Sequence, residues 1–276
     1  MSELRKRDVI ITGIPRSGTT LLTAMMDSAP DTVALNEPKW QYDWARENRE
    51  HSPPEDFAKW LAGDFIVSRH KLLKGIALPE RRAEDGSAVT NYYHVNPQTG
   101  AMEDTFKTVP FTRPGLTPDF RLAMKHNGLY FGALQQIIET GMFDIYVIVR
   151  HPVHVIASWN RAPIPLSRGK MPGAIIYWDQ MNSLTRSPVD LLEKQVKMYD
   201  LLCKRIHYFR DHVTVVQYEE LVNQPETFCS LAGIPAEKAV PFIDRKQAEI
   251  PAAVRDSIAD AFREHGQFYS HYYPNL

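Results

Sequence analysis

The sequence predicts an α/β fold in which a central parallel sheet is covered by helices on both faces. Three observations predict it. Short β-branched runs alternate with helix-length amphipathic segments along the 276 residues, the pattern of parallel strands joined by crossover helices. The first run ends in a glycine-bounded loop that opens straight into a helix. Finally, Gly13, Glu37, Lys125, Arg150 and Tyr218 all fall at or just past the ends of predicted strands, where ligands of open α/β sheets sit.

Val9 to Gly13 is short, β-branched and closed by glycine, and reads as a buried strand. Thr19 to Ser28 follows as a helix with Leu21, Leu22, Met25 and Met26 on one face, stopped by Ala29-Pro30. Thr32 to Leu35 suits a second short strand that delivers Asn36-Glu37-Pro38. Residues 40–119 look irregular, being aromatic, charged and rich in proline. Periodicity returns with a strand over 120–125, a helix from Leu129 to Glu139 and a strong central strand from Ile145 to Val149. A helix starts at Pro152, since proline suits the first helical turn. Beyond a Pro/Gly-rich loop, Ala162 to Gly173, come a long helix over roughly 189–210, a strand from Val213 to Gln217 and C-terminal helices. No repeat or low-complexity linker interrupts the chain, so one domain over 1–276 is expected, with 40–119 as an acceptor-binding insertion.

Composition narrows the function. Hydrophobic residues make up 43% and charged residues 24%, with a net charge of −1, so bulk charge draws the chain to neither nucleic acid nor anionic membrane. An anion site must therefore be local. No apolar stretch approaches the ~20 residues of a membrane span. The charged opening Met1 to Asp8 is followed by too short an apolar run for a secretory signal, and a cytoplasmic location is expected. Cys203 and Cys229 lie in apolar surroundings without metal spacing and read as small buried hydrophobes. His151 and His154, three apart on a helix, lack a third ligand; no metal is expected.

The loop Gly13-Ile14-Pro15-Arg16-Ser17-Gly18-Thr19-Thr20 has the glycine spacing of a Walker A phosphate loop, with Thr19 in place of its lysine. This makes the expected sheet P-loop-type. Backbone amides in such a turn, together with a helix N-terminus, cradle an anion, and the hydroxyls of Ser17, Thr19 and Thr20 can add hydrogen bonds. In nucleotide triphosphatases the lysine and a Mg²⁺, held by an aspartate ending a later strand, neutralise the phosphates. Here the strand from Ile145 to Val149 ends in Arg150, which clamps phosphate but ligates no metal. These differences argue against a kinase.

The same segments carry a resemblance. Thr12 to Leu22 resembles the 5′-phosphosulfate loop of sulfotransferases that use 3′-phosphoadenosine 5′-phosphosulfate (PAPS). Val147-Ile148-Val149-Arg150-His151-Pro152, with Ser158 eight residues past the arginine, resembles their 3′-phosphate motif. The chain looks most like tyrosylprotein sulfotransferases and their bacterial relatives. In that type a catalytic glutamate follows the loop arginine by 21 residues, which falls on Glu37. A transition-state lysine on the strand before the 3′-phosphate strand falls on Lys125, and a nucleotide-contacting tyrosine opening a Tyr-Glu-x-Leu segment falls on Tyr218. The likeness touches residues 9–40, 120–162 and 213–235. The family's second arginine falls on Ala162, one position past Arg161, and its C-terminal serine and lysine have no counterpart that the sequence assigns.

The resemblance implies sulfuryl transfer from PAPS to a hydroxyl acceptor. Glu37 acts as base, Arg16 and Lys125 stabilise charge, and Gly13, Pro15, Arg16, Ser17, Gly18, Thr19, Thr20, Arg150, Ser158 and Tyr218 hold the nucleotide. Each residue also has a plainer reading: Glu37 a surface-loop acid, Lys125 a solvated strand end, Tyr218 a core ring, and Arg150 and Ser158 plain structure. Trp40, Tyr42 and Trp44 suit stacking on a sugar or phenol equally with packing in the core. Twelve Lys/Arg balance twelve Asp/Glu over 38–124, which favours a carbohydrate, lipid-linked or small hydroxylated acceptor over an acidic tyrosine peptide. The other classes to weigh are a P-loop kinase or NTPase and an inactive nucleotide-binding protein.

Overall fold

The computed structural model describes residues 8–96, 98–99, 102–234 and 249–276. Residues 1–7 of the charged opening segment, and residues 235–248 of the stretch read as C-terminal helices, lie outside the described residues. In chain order the first strands and helices are β1 (Asp8–Gly13), α1 (Thr19–Asp27), β2 (Thr32–Asn36), α2 (Lys39–Asn48) and α3 (Pro54–Leu73). Four short strands follow: β3 (Leu78–Arg82), β4 (Tyr93–Val95), β5 (Met102–Asp104) and β6 (Lys107–Phe111). Next come β7 (Arg121–Lys125), α4 (Asn127–Gly132), α5 (Leu134–Glu139), β8 (Phe143–Val149), α6 (Pro152–Arg161), α7 (Asp179–Arg186) and α8 (Leu191–Tyr208). The chain closes with β9 (Thr214–Gln217), α9 (Tyr218–Asn223), α10 (Pro225–Ala232) and α11 (Ala252–His265).

Five strands form one parallel sheet in the order β2-β7-β1-β8-β9. Their apolar residues alternate between two cores because successive side chains on a strand point to opposite faces. Val9, Ile11, Ala34, Ala123, Ile148 and Val216 pack with α1 and α10. Ile10, Val33, Leu35, Met124, Val147 and Val149 pack with α3, α6, α8 and α11 on the other side. Helices thus cover both faces, as the sequence predicts. The register aligns Asn36 with Lys125, Lys125 with Ile11, and Gly13 with Ile148, so the carboxyl ends that bear the polar residues lie side by side.

Residues 40–119 depart from the irregular reading. The first part is helical, with α3 burying Phe57, Ala58, Leu61, Ala62, Phe65, Ser68 and Leu72 at helical spacing. Pro53 and Pro54 do not break this helix; they stand at its start, where a missing N–H costs nothing. Two antiparallel pairs follow, β3 with β6 and β4 with β5. The helix expected over 129–139 divides at Ala133 into α4 and α5, and α7 is an element that the sequence reading did not include.

The β3–β6 pair is fastened to α1 by buried ion pairs and to β2 by a buried carboxyl. Along β3, Leu78, Glu80 and Arg82 are buried while Arg81 faces the opposite way. Arg82 Nη1 donates to Asp27 Oδ2 at 2.6 Å, and Arg113 Nη2 donates to the same oxygen at 2.9 Å. The Glu80 carboxylate accepts the Asn36 amide at 3.0 and 3.1 Å. Burial raises the pKa of Glu80 to about 8 against the opposing pull of Arg82. A carboxyl whose pKa is raised by folding contributes stability that is complete below its unfolded value and lost as pH rises through the folded one. Glu80→Gln keeps an acceptor for the Asn36 amide and removes the charge. The variant is expected to melt like wild type near pH 5 and to exceed it at pH 9 by ~1–3 kcal/mol, the cost of an imperfectly satisfied buried polar group. Thermal melts across that range check it, and parallel curves would show that Glu80 ionises at no cost.

Candidate active site

The loop between β1 and α1 is held by its neighbours. The carbonyl of Ile148, on the adjacent strand, accepts both the Ile14 amide and the Ser17 hydroxyl at 3.0 Å. The Ser17 amide donates to Ile14 O at 2.9 Å, and the Trp159 indole donates to Pro15 O at 2.7 Å. Gly13 is required by close approach, since a Cβ there would lie 2.5 Å from the Ile148 carbonyl oxygen. Gly18 takes φ 101° and packs against the Tyr218 ring. α1 has no side-chain cap, and the amides of Gly18, Thr19, Thr20 and Leu21 have no acceptor within the helix. These four residues line a cavity of about 440 Å³ with Pro15, Arg16, Glu37, Lys125, Arg150 and Tyr218. Ser17 differs from expectation. Its amide closes the loop's own turn and its hydroxyl is committed to β8, so it braces the loop and does not line the cavity.

Glu37 and Lys125 meet at the mouth of this loop. The Lys125 ammonium donates to Glu37 Oε1 at 2.7 Å and to the Thr20 hydroxyl at 3.4 Å, and it lies 4.6 Å over the Tyr92 ring. Their main chains also join, Glu37 N donating to Lys125 O at 2.7 Å. Lys125 is 1% exposed, which excludes the reading as a solvated strand end. Burial pushes its pKa down, with Glu37 resisting. Burial alone would raise the pKa of Glu37, but Lys125, His126 and Arg81 outweigh it and hold the carboxyl at about 2. Glu37 and Arg16 take positive φ, 47° and 72°. Such backbone is uncommon without glycine and tends to mark sites where geometry outranks comfort.

On the far side of the loop Arg16, Arg150 and Ser158 come together. Arg16 Nε donates to Ser158 Oγ at 3.1 Å, and Arg150 Nη1 donates to Arg16 O at 3.2 Å. The Arg150 guanidinium sits 4.3 Å over the Tyr218 ring, and its buried Nε has no protein acceptor. Glu219, next to Tyr218, accepts the His151 amide at 3.0 Å and the Tyr273 hydroxyl at 2.8 Å. It thereby fixes the start of α6, the helix that carries Ser158. His151 and His154 pack edge to face, 5.3 Å apart. Among the described residues no three His, Cys, Asp or Glu side chains gather, and none of the helices is long and apolar enough to cross a membrane.

The aromatics after Glu37 divide. Trp44 stacks on Trp60 at 4.6 Å and Trp40 donates to Asp64 at 3.0 Å, both as structure, whereas Tyr42 stacks on His126 and lines the cavity. Three residues absent from the sequence-based set belong to this centre. Arg81 Nη1 donates to Glu37 Oε2 at 2.6 Å. Tyr92 lies against both Arg81 and Lys125. Burial and the neighbouring cations press the His126 pKa down to about 4, with Glu37 resisting. The place of His126 directly after Lys125 was the one local signal available.

Comparison with known proteins places this geometry in a family. A model of the Sulfotransferase family matches residues 8–230. Comparison with curated proteins gives no match. Among solved structures the chain is similar to a sulfotransferase from Alicyclobacillus acidocaldarius, at 14% identity and TM-score 0.41 over 97% of this chain and 95% of that one. It is similar to the sulfotransferase domain from the curacin biosynthetic pathway, at 16% and 0.44 over 94% and 91%. A sulfotransferase from Mycobacterium tuberculosis H37Rv is similar at 14% and 0.39 over 94% and 77%. With the family match running from the first residue of β1 into α10, the chain belongs to the sulfotransferase family of enzymes.

Proposed function

We propose that the chain transfers the sulfuryl group of PAPS to a hydroxyl on a carbohydrate, lipid-linked or small metabolite. The observation that carries the reading is the single cavity joining a helix-start anion cradle, the Glu37–Lys125 pair at 2.7 Å and the side chain of Arg150. Residues at both ends suit the donor. The amides of Gly18, Thr19 and Thr20 would hold its 5′-phosphate, with Gly13 and Pro15 shaping the turn and Ser17 bracing it. The buried, unpartnered Arg150 Nε, with Tyr218 beside it, and the Ser158 hydroxyl, which lines the neighbouring cavity that Arg16 also borders, would take the 3′-phosphate.

In this reading Glu37 accepts the acceptor's hydroxyl proton, the acceptor oxygen bonds to sulfur, and the bond from sulfur to the 5′-phosphate oxygen breaks. The leaving group is adenosine 3′,5′-bisphosphate, and no covalent enzyme intermediate forms. Arg16 and Lys125 stabilise the charge that develops on the transferring and leaving oxygens. Glu37 at about 2 is ionised but weakly basic; its basicity rises as the Lys125 ammonium turns from it to the sulfuryl oxygens. We place the acceptor against Tyr42, Tyr92, Tyr93, Ile164, Leu166 and Met171, which line the same cavity and belong in part to the lobe over 40–119. An aromatic and aliphatic wall suits a sugar ring or an apolar stem better than an acidic peptide.

Glu37→Gln is expected to lower turnover by ~10²–10⁴, the usual share of a general base, with adenosine 3′,5′-bisphosphate still bound in calorimetry. Near-normal turnover would remove Glu37 from the chemistry. Arg150→Ala is expected to weaken the 3′,5′-bisphosphate ~10-fold or more while leaving adenosine 5′-phosphate nearly unchanged, as loss of a charge-assisted contact to one phosphate requires. Equal losses for both nucleotides would refute its assignment. Wild type should be stabilised in thermal shift by adenosine 3′,5′-bisphosphate and not by ATP with Mg²⁺; the reverse result would favour a kinase.

A further inference from the structure

Glu37 is gripped from two sides, and only one partner has a second task in the reaction just proposed. Lys125 holds Oε1 at 2.7 Å and also reaches Thr20 at the phosphate loop. Arg81 holds Oε2 at 2.6 Å and does not line the cavity that Glu37, Lys125 and Arg16 share. Its guanidinium lies 5.0 Å over the Tyr92 ring and 5.0 Å over the Phe106 ring. The strand beneath it is fixed by the buried Arg82–Asp27 pair and by Glu80 on the Asn36 amide, one residue before Glu37.

We propose that Arg81 is a positioning residue for the base: it holds Oε2 so that Oε1 faces the acceptor hydroxyl when Lys125 swings to the transferring group. This rests on reading Glu37 as the base. Without Arg81 the carboxylate would turn freely once Lys125 released it, and a partly buried anion would lose its remaining fixed counter-charge. Guanidinium suits the task because it neither gives up its proton nor accepts one, so it cannot compete for the acceptor's proton.

The other groups facing Glu37 do not substitute. His126 follows Lys125 at the end of β7, and burial holds it neutral at ordinary pH. Burial likewise keeps the Tyr92 phenol protonated. Arg16 acts on Lys125 through its field, lowering its pKa, while its Nε engages Ser158 and its guanidinium lies 5.4 Å over Tyr93. Tyr93, also near Glu37, is raised mainly by burial and stays uncharged.

Arg81→Gln and Arg81→Lys test the proposal. Carboxyl-labelled glutamate gives a ¹³C titration in which the Glu37 resonance is identified by its loss in Glu37→Gln. In Arg81→Gln, Glu37 should titrate at least ~1 pH unit higher, the scale of removing one adjacent cation. The acid limb of kcat/KM should move upward with it. Turnover should fall ~10–100-fold, as misplacement of a catalytic group costs, with donor KM and adenosine 3′,5′-bisphosphate affinity within ~2-fold of wild type. Arg81→Lys should restore most of the titration and only part of kcat, since ammonium lacks the planar fork. An unmoved Glu37 titration, or lost turnover with an unmoved acid limb and weakened bisphosphate binding, overturns the proposal. If Arg81→Gln fails to fold, Arg81→Lys decides alone: wild-type kcat overturns it, and reduced kcat with intact bisphosphate binding supports it. Undiminished turnover in Glu37→Gln refutes the base itself, whereas the titration still reports whether Arg81 governs Glu37.

Discussion

A lysine sealed into the end of a central strand sets the terms for everything around it. Lys125 is 1% exposed, and an ammonium in that position is tolerated only beside an anion and further acceptors. Glu37 supplies the anion at 2.7 Å, and it reaches the lysine because β2 and β7 are neighbours in register with Asn36 opposite Lys125. The sheet order therefore creates the pair. The pair in turn needs Glu37 to leave β2 through a left-handed residue, and it recruits Arg81 and Tyr92 from the β3 lobe.

The second organising contact is a single carbonyl. Ile148 O takes the Ile14 amide and the Ser17 hydroxyl, while the chain two residues on delivers Arg150 to Arg16 O. One strand thus both folds the anion cradle and supplies the arginine at its far end. Trp159, beside Ser158 on α6, ties that helix to the loop through Pro15 O. The residues proposed to grasp the two ends of a nucleotide are in this way parts of one packed unit and need no domain movement to meet.

Much of this was legible in the sequence, and what was missed has physical reasons. Four of the five sheet strands and the loop announced themselves through β-branched residues and glycine spacing, because both depend on local chemistry, whereas β7 (RLAMK) has no β-branched residue and was read from its apolar stretch alone. Glu37, Lys125, Arg150, Ser158 and Tyr218 were singled out through the family resemblance; strand order brings Glu37 beside Lys125, and Arg16 bridges Ser158 and Arg150. Arg81 was illegible. It lies in a Glu-Arg-Arg run that looks like solvated surface, and only the burial of Glu80 and Arg82 on one face turns it inward towards Glu37. The helices of residues 39–73 were obscured by paired prolines and by tryptophans whose partners, such as Trp60 for Trp44, are remote in sequence. Ser17 was read as a ligand contact because a hydroxyl's direction depends on its neighbour; here the Ile148 carbonyl claims it.

The left-handed turn at Arg16 has a wider consequence. A non-glycine residue in that conformation lies above its relaxed state by ~1–3 kcal/mol, and besides the loop's own bond from the Ser17 amide to Ile14 O the opposing hold comes from β8 and α6. Residues 12–22 cut out as a peptide would spring into other shapes, and their amides would no longer converge. The anion recognition proposed for this loop would be a property lent by the surrounding sheet, so grafting the motif elsewhere would require grafting its clasp as well.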